Sequence, residues 1–246
     1  MKTKQVEQKG TYLRAFRAAF PYTVPVLTGY LFIGMAFGVM IQEKGYNFLW
    51  AMLMSLVIYA GSGQYLAVNF FAPGVSLFNV IFMEFMVNIR HIFYGLSLLE
   101  RFSEMGKKRL YMIFSLTDET YALLSSARVP ERVDPHAYYF AIAVLDHGYW
   151  ILGSVIGSVA GALISFDTTG IAFAMTALFI VIAVDQWKTY RSHLPALLGC
   201  GITVLALVIL KPDAMLIPAL CVIVVALLLL RARLDDSRAE AEEEVR

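Results

Sequence analysis

Eight long apolar segments dominate this chain, and each of them must be shielded from water. Most reach the ~20 residues that a helix needs to cross the hydrocarbon core of a bilayer. Charged residues make up only 16% of the chain, against about 25% in an ordinary soluble domain. We therefore predict an all-α, polytopic helical membrane protein. The segments are approximately 18–41, 48–71, 75–99, 110–125, 138–164, 169–187, 193–210 and 213–231.

Short polar joints connect the segments and leave no room for a sizeable soluble domain, so residues 1–246 are interpreted as a single transmembrane domain. Residues 1–17 carry five basic residues against one acidic residue, whereas residues 232–246 carry six acidic residues against three arginines. Basic residues beside apolar spans stay in the cytoplasm. Because Arg231 and Arg233 adjoin the last span, we predict a basic N-terminal segment and an acidic tail that are both cytoplasmic.

The joint at 100–109 decides between two topologies. It holds four basic residues, and eight crossings would place them outside, against the positive-inside rule. If the 48–71 and 110–125 segments instead enter and return on one side, this joint falls inside with both termini. We favour six full spans plus two broken or re-entrant elements, and eight crossings remain the alternative.

Seven ionisable residues fall inside the apolar segments. Such groups are costly at bilayer depth and usually face a partner or a water-filled cavity. A role in a proton or charge relay is therefore predicted, against the alternatives of helix-joining hydrogen bonds and helix caps. The proposed relay residues are Glu84, Arg90, Asp118, Glu119, Asp146 and His147, and the seventh residue is His91.

On one continuous helix, three polar residues of the 75–99 segment would form a single line. Asn88 would lie about 40° from Glu84, and His91 about 20° to the other side. Arg90 would point about 120° away from that line. A buried arginine needs a partner, and Asp118 and Glu119 are the candidates. The alternative for the polar line is a ladder of interhelical hydrogen bonds.

The next two segments carry acids as well. Asp118 and Glu119 follow Thr117, which could instead cap a helix whose N-terminal dipole favours acids. Asp146 lies on the same helical stripe as Gly153, one of three glycines spaced four apart. Such a stripe lets another helix approach closely, so Asp146 should face protein; whether it carries protons or only bonds a neighbour stays open.

Glycines interrupt the 48–71 segment. Gly61, Ser62 and Gly63 permit an unwound stretch with free backbone amides, and a half-helix starting near Gln64 would present its positive end to a cavity. Transporters hold anionic substrate groups in this way; an unbroken, close-packed helix is the alternative. The predicted substrate-binding residues are Gly61, Ser62, Gly63, Gln64, Asn88 and His91.

Several chemistries lack their motifs in this sequence. It has no phosphate-binding glycine loop with lysine, no His-Glu-x-x-His and no Cys-x-x-Cys. We expect no metal, no cofactor, no catalytic residue and no nucleic-acid partner. Two alternatives to a transporter remain: an intramembrane serine protease using Ser62 with His91 or His147, and a channel or scaffold subunit.

Three stretches together resemble the signatures of a known family. They are Tyr59–Tyr65 (YAGSGQY), Asn88–Gly95 (NIRHIFYG) and Leu116–Tyr121 (LTDETY). In this order they are similar to the AzlC/YgaZ family, the large subunits of bacterial branched-chain amino acid exporters, as is the later stretch Gly170–Phe179. The resemblance covers about residues 15–230, and Gly63 stands where the family pattern has a small residue, often alanine.

The resemblance implies export of valine, leucine and isoleucine across the bacterial cytoplasmic (inner) membrane. It also implies a small hydrophobic partner subunit of the AzlD/YgaH type. An amino acid needs a carboxylate site, which the half-helix at Gly61–Gln64 could supply, and an ammonium site, for which Glu84, Asp118 and Asp146 are candidates. With no nucleotide-binding domain in the sequence, we expect proton antiport to drive the transport.

Overall fold

The computed structural model describes residues 2–71, 74–163, 180, 183–184, 187–188, 193–210 and 215–230, with the backbone alone at 2–9, 216 and 217. The chain divides into two compact units, Met1–Met175 and Thr176–Arg246. They are described separately, and the single domain expected from the sequence stays a prediction. The predicted segment 169–187, the stretch 170–179 and the tail 232–246 lie largely or wholly outside the described residues.

Every described element is helical, which confirms the all-α class for this part of the chain. Unit 1 contains α1 (Lys2–Glu43), α2 (Phe48–Val57), α3 (Gly61–Asn69), α4 (Leu77–Asn88), α5 (Arg90–Ser97), a 3-10 turn (Ser103–Met105), α6 (Lys108–Phe114), α7 (Asp118–Ser126) and α8 (Pro135–Leu163). Unit 2 contains α9 (Leu194–Ile209) and α10 (Leu216–Leu229), which pack on each other.

By length and composition, two described helical stretches could cross a membrane alone, Gly10–Glu43 and Pro135–Leu163. Shorter apolar helices occupy Phe48–Val57, Leu77–Asn88, Leu194–Ile209 and Pro218–Leu229. The number of spans therefore stays a prediction.

Unit 1 is built on a close glycine contact between α1 and α8. A β-carbon at Gly157 would overlap the backbone of Met35, with the Met35 Cα only 2.5 Å away. A β-carbon at Gly38 would overlap the carbonyl of Ser154. The predicted close packing along the α8 glycine stripe is thus confirmed, and it brings the two long helices together at backbone distance.

The 48–71 segment is broken, as predicted, and forms a helical hairpin. At its two ends the rings of Tyr46 and Phe71 lie 4.7 Å apart, so α2 and α3 begin and end on the same side of unit 1. The predicted position of the break was wrong: Gly61, Ser62 and Gly63 form the first turn of α3, and the chain unwinds before them. Tyr59 takes the positive φ of 43°, and its ring stacks on His147 at 4.1 Å.

The expectation of one continuous helix in the 75–99 segment was also wrong. The helix is interrupted at Ile89, which separates α4 from α5. Glu84 and Asn88 stay on α4, whereas His91 belongs to α5. Ile89 keeps right-handed helical dihedral angles, with φ −54° and ψ −29°, so the interruption is confined to this one residue.

The 110–125 segment is broken in the same manner as the 48–71 segment. α6 ends at Phe114 and α7 begins at Asp118, with Thr117 as its N-cap. The Thr117 hydroxyl accepts a hydrogen bond from the backbone N–H of Thr120 at 3.2 Å, which confirms the predicted cap. Tyr22 on α1 contacts Ser126 at the far end of α7, with 3.1 Å between the hydroxyls.

Three stretches of chain meet at one end of unit 1, which we name the basic end (residues 12–19, 98–109 and 124–138). Ala15, Phe102, Leu124 and Ala137 share one buried apolar cluster there. The Arg101 guanidinium donates to the carbonyl of Leu124. The basic residues at this end are Arg14, Arg17, Arg101, Lys107, Lys108, Arg109, Arg128 and Arg132.

These contacts give unit 1 an inverted repetition. α1 runs away from the basic end and is followed by the α2–α3 hairpin, which returns to the opposite end. The α4–α5 pair then runs back to the basic end and is followed by the α6–α7 hairpin, which returns there. As a result, the N-termini of α3 and α7 point toward the middle of unit 1 from opposite directions.

Candidate functional site

Arg90 occupies the space between the two half-helix N-termini. Its Nε donates to Asp118 Oδ1 at 2.8 Å, and its Nη2 donates to Ser62 Oγ at 2.9 Å. Both side chains of the ion pair remain partly exposed, at 30% and 26%. The expected partner for Arg90 is thus confirmed, and Asp118 is that partner.

Tyr94 is a residue of this site that the sequence reasoning missed. Its hydroxyl donates to the same Asp118 Oδ1 at 2.7 Å, and its ring stacks on Tyr121 at 4.4 Å. The spacing of four residues from Arg90 places the two side chains on one helical face, which was the available signal. Asp118 is therefore held by a cation, a hydroxyl group and its favourable position at a helix N-terminus.

Glu84 and Asn88 form a polar pair against Gly63. Asn88 Nδ2 donates to Glu84 Oε2 at 2.9 Å, and a β-carbon at Gly63 would lie 2.6 Å from that oxygen. Four buried side-chain oxygens among the described residues have no hydrogen-bond partner: Glu84 Oε1 and Asn88 Oδ1 in this pair, and Tyr59 Oη and Asp146 Oδ1 in a second polar group. A pair of unsatisfied acceptors is chemically suited to a ligand that donates hydrogen bonds.

A second polar group surrounds Glu119 and Asp146. Tyr30 donates to Glu119 Oε2 at 2.8 Å, and Thr120 Oγ1 donates to Asp146 Oδ2 at 2.9 Å. Asp146 has no exposed surface, which confirms that it faces protein. Tyr30 was not predicted, because it lies 89 residues from Glu119 in the sequence.

The described contacts of His91 and His147 do not include a hydrogen bond to Ser62. His147 contacts the hydroxyl of Tyr111 and the carbonyl of Ser55, both at 3.1 Å. His91 packs edge-on to the Tyr94 ring, with centroids 5.8 Å apart. Since Ser62 Oγ accepts from Arg90, the described contacts do not form the serine–histidine pair that a nucleophilic mechanism requires.

Gln64 and Gly61 meet the same tryptophan. Trp150 Nε1 donates to Gln64 Oε1 at 2.8 Å, and Gln64 Nε2 donates to Ser55 Oγ at 3.2 Å. A β-carbon at Gly61 would lie 3.2 Å from the Trp150 ring. Both ends of the Gln64 amide are thus occupied within the fold, so its predicted substrate contact would require it to exchange partners.

The described residues contain no group of three or more His, Cys, Asp or Glu side chains placed to hold a metal ion. Instead, two broken helices, a central arginine and unsatisfied buried acceptors meet inside a glycine-packed helical bundle. Discontinuous helices whose N-termini point at a central polar site are characteristic of secondary transporters. The fold and site therefore define a membrane transport protein.

The AzlC protein family matches residues 25–164. This chain is 40% identical to "Branched-chain amino acid transport protein AzlC" of Bacillus subtilis (strain 168), over 91% of this chain and 88% of that protein. It is 42% identical to a membrane protein of Helicobacter pylori, over 91% of this chain and 98% of that protein. It is also 28% identical to "Inner membrane protein YgaZ" of Escherichia coli, over 84% and 87%.

The chain belongs to the AzlC/YgaZ family of membrane transport proteins. The predicted family is thereby confirmed. No solved structure matches this chain.

Proposed function

We propose that this protein is a secondary transporter that exports branched-chain amino acids by proton antiport, together with a small hydrophobic AzlD/YgaH-like subunit. The observation that carries the proposal is the position of Arg90 between Ser62 and Asp118, at the N-termini of two half-helices. The printed name of the Bacillus subtilis relative supports the substrate class.

The carboxylate of the amino acid binds to Arg90. A guanidinium group offers five donors in a planar fork that matches a carboxylate, and the first turn of α3 adds backbone amides without intrahelical partners. In this structure Asp118 occupies part of this fork. A substrate carboxylate would therefore take the place of Asp118 on Arg90.

The ammonium group binds on the other side of the first turn of α3. Glu84 Oε1 and Asn88 Oδ1 are buried acceptors without a described partner, and an ammonium group has donors for both. Gly63 lies against the Glu84–Asn88 pair, and Ser62, its neighbour in the chain, accepts a hydrogen bond from Arg90.

The basic end faces the cytoplasm under the positive-inside rule. Within the described part of unit 1, the lysine at the opposite end is Lys44. The α2–α3 and α6–α7 hairpins are then two re-entrant elements that enter from opposite sides, and the proposal assigns six full spans to the whole chain. Inverted repeats of this kind support alternating access around a central site.

Proton coupling uses the acids around this site, with Glu84, Asp118, Glu119 and Asp146 as the exchanging groups. Arg90 and His147 complete the charge relay. Export rather than uptake follows the family resemblance, as does the small partner subunit. Both termini are placed in the cytoplasm of a bacterial cell, with the protein in its cytoplasmic membrane.

Counterflow in liposomes tests the proposal. The protein, purified with its small partner subunit, should accumulate labelled leucine against unlabelled leucine, and an imposed pH gradient should accelerate net leucine flux. Arg90→Gln should abolish both signals while the protein still inserts and remains folded. Leucine flux that neither saturates nor shows counterflow would instead indicate a channel.

A further inference from the structure

A continuous chain of oxygen atoms connects Glu119 to Asp146 through three hydroxyl groups. Tyr30 Oη lies 2.8 Å from Glu119 Oε2 and 2.5 Å from Thr117 Oγ1. Thr117 Oγ1 lies 3.0 Å from Thr120 Oγ1, which lies 2.9 Å from Asp146 Oδ2. The chain thus has a carboxyl group at each end and links α1, α7 and α8.

The number of hydrogen atoms does not match the number of contacts when both acids are ionised. The chain has four oxygen–oxygen contacts, and each needs one hydrogen. The three hydroxyl groups supply one hydrogen each, so one contact is left with two facing lone pairs. A single additional proton completes all four hydrogen bonds, whichever carboxyl group receives it.

We propose that Glu119 and Asp146 together bind one proton and share it along this chain. With the proton on Glu119, its O–H donates to Tyr30, and each hydroxyl then donates toward Asp146. When every hydrogen moves one contact along, the proton resides on Asp146 and each hydroxyl donates toward Glu119. No atom other than these hydrogens moves, and the pair carries one negative charge in both states.

The two ends of the hydrogen-bonded chain differ in solvent exposure, which gives proton transfer a direction. Asp146 and Thr120 have no exposed surface, and Tyr30 is 4% exposed. Glu119 is half-buried and follows Asp118, the partner of Arg90. A proton therefore enters at Glu119, beside the candidate substrate site, and reaches Asp146 through the hydroxyl chain.

Other charged and titratable groups face the two carboxyl groups. The charges of Asp118 on α7 and Arg90 on α5 act electrostatically on the Glu119 carboxyl group. Near Asp146, the groups are Tyr59 before α3, Tyr111 on α6, and His147 and Tyr149 on α8. Arg90 is the permanent cation of this set, and its charge is already matched by Asp118. The excess negative charge therefore lies on the Glu119–Asp146 pair.

The inference rests on the proposed antiport for its purpose, since the shared proton would be the coupling ion. Its geometry can be tested without any substrate. Infrared spectra of the nanodisc-embedded protein, recorded across the pH range in which it stays folded, report protonated carboxyl groups directly. Glu119→Gln and Asp146→Asn should each remove the whole contribution of the Glu119–Asp146 pair to the titrating band, because either amide supplies the missing hydrogen and leaves the remaining acid ionised. Glu84→Gln identifies the separate contribution of Glu84.

Two independent acids would give a different result. Each amide variant would then remove its own part of the band and leave the remainder, and that outcome overturns the inference. A wild-type band that neither variant alters would overturn it as well. The exposed Glu131 provides the control, since Glu131→Gln should leave the buried band unchanged.

Severing the chain gives a second test with shape-matched variants. Thr120→Val removes the hydroxyl, so Asp146→Asn in that background should no longer affect the Glu119 band, whereas Thr120→Ser should preserve the coupling. Tyr30→Phe should act like Thr120→Val. Tyr22→Phe is its control, because the Tyr22 hydroxyl bonds Leu123 and Ser126 and no carboxylate.

Leucine counterflow, measured on the same variants in liposomes, separates the two proposals. Shared titration without leucine transport would leave the proton site standing and remove its assigned purpose. Leucine transport with independently titrating acids would remove the shared-proton site and leave the transporter proposal intact.

Discussion

A β-carbon added to Gly63 would lie 2.6 Å from Glu84 Oε2 and 2.7 Å from Asn88 Nδ2. The contact explains what glycine provides at this position of the chain. The first turn of α3 can lie directly against the polar pair of α4, and the unsatisfied oxygens of that pair remain beside the α3 N-terminus.

Gly63→Ala should weaken leucine binding while the protein stays folded. The new methyl group would push the end of the Glu84 side chain from Asn88, and one hydrogen bond is worth about 1 kcal/mol, or about fivefold in affinity. Isothermal titration of leucine into the purified complex measures the change. Gly148→Ala is the matched control, because an added β-carbon there meets nothing within 4 Å; equal affinities in both variants would contradict the proposed ammonium site.

Arg90→Lys should reduce leucine affinity by about tenfold or more. Lysine keeps the charge but loses the planar fork that bonds a carboxylate, and hydrogen bonds to charged groups are worth about 1.5–3 kcal/mol. The same titration measures this loss. Arg128→Lys, at an exposed position of the basic end, should bind leucine as the wild type does. Unchanged affinity in Arg90→Lys would remove Arg90 from the carboxylate site.

Gln64→Leu should lower stability before it affects substrate. The substitution leaves Trp150 Nε1 and Ser55 Oγ without their present partner, and an unsatisfied buried group costs about 1–3 kcal/mol. Thermal unfolding and leucine affinity, measured on the same preparation, separate the two roles. A stable variant that has lost leucine binding would instead support the predicted substrate contact of Gln64.

Gly157→Ala should destabilise the protein, because its β-carbon would overlap the backbone of Met35. Overpacking of this kind typically costs about 1–3 kcal/mol, and backbone cannot move aside as a side-chain end can. Gly161→Ala, one turn along the same stripe, places its β-carbon at an ordinary 3.4 Å from Val39. Thermal unfolding in one detergent should therefore show a lower midpoint for Gly157→Ala than for Gly161→Ala.

The topology can be tested by labelling single cysteines. In a background carrying Cys200→Ser and Cys221→Ser, a cysteine in place of the exposed Lys107 should react from the cytoplasmic face. A cysteine in place of Lys44, at the opposite end of unit 1, should react from the other face. Labelling of the Lys107→Cys variant from outside would support eight crossings and remove the two re-entrant elements.

Much of the fold was predictable because its signals are local. Apolar runs of bilayer length predict helices. Two of these runs contain residues that interrupt or cap a helix, Gly61–Gly63 and Thr117–Glu119. The cost of a buried charge likewise predicted that Arg90 pairs with an acid. The α8 glycine stripe predicted a close helix contact, and α1 provides it.

By itself, then, the sequence determined the helical class, the two broken segments and the residue types of the site. The tertiary structure decided where each break falls and which groups meet. Tyr59 leaves helical geometry where its ring stacks on His147, and Tyr30 completes a proton chain to an acid 89 residues away. Neither contact has a periodic signal, because both depend on how α1, α3, α7 and α8 pack against one another.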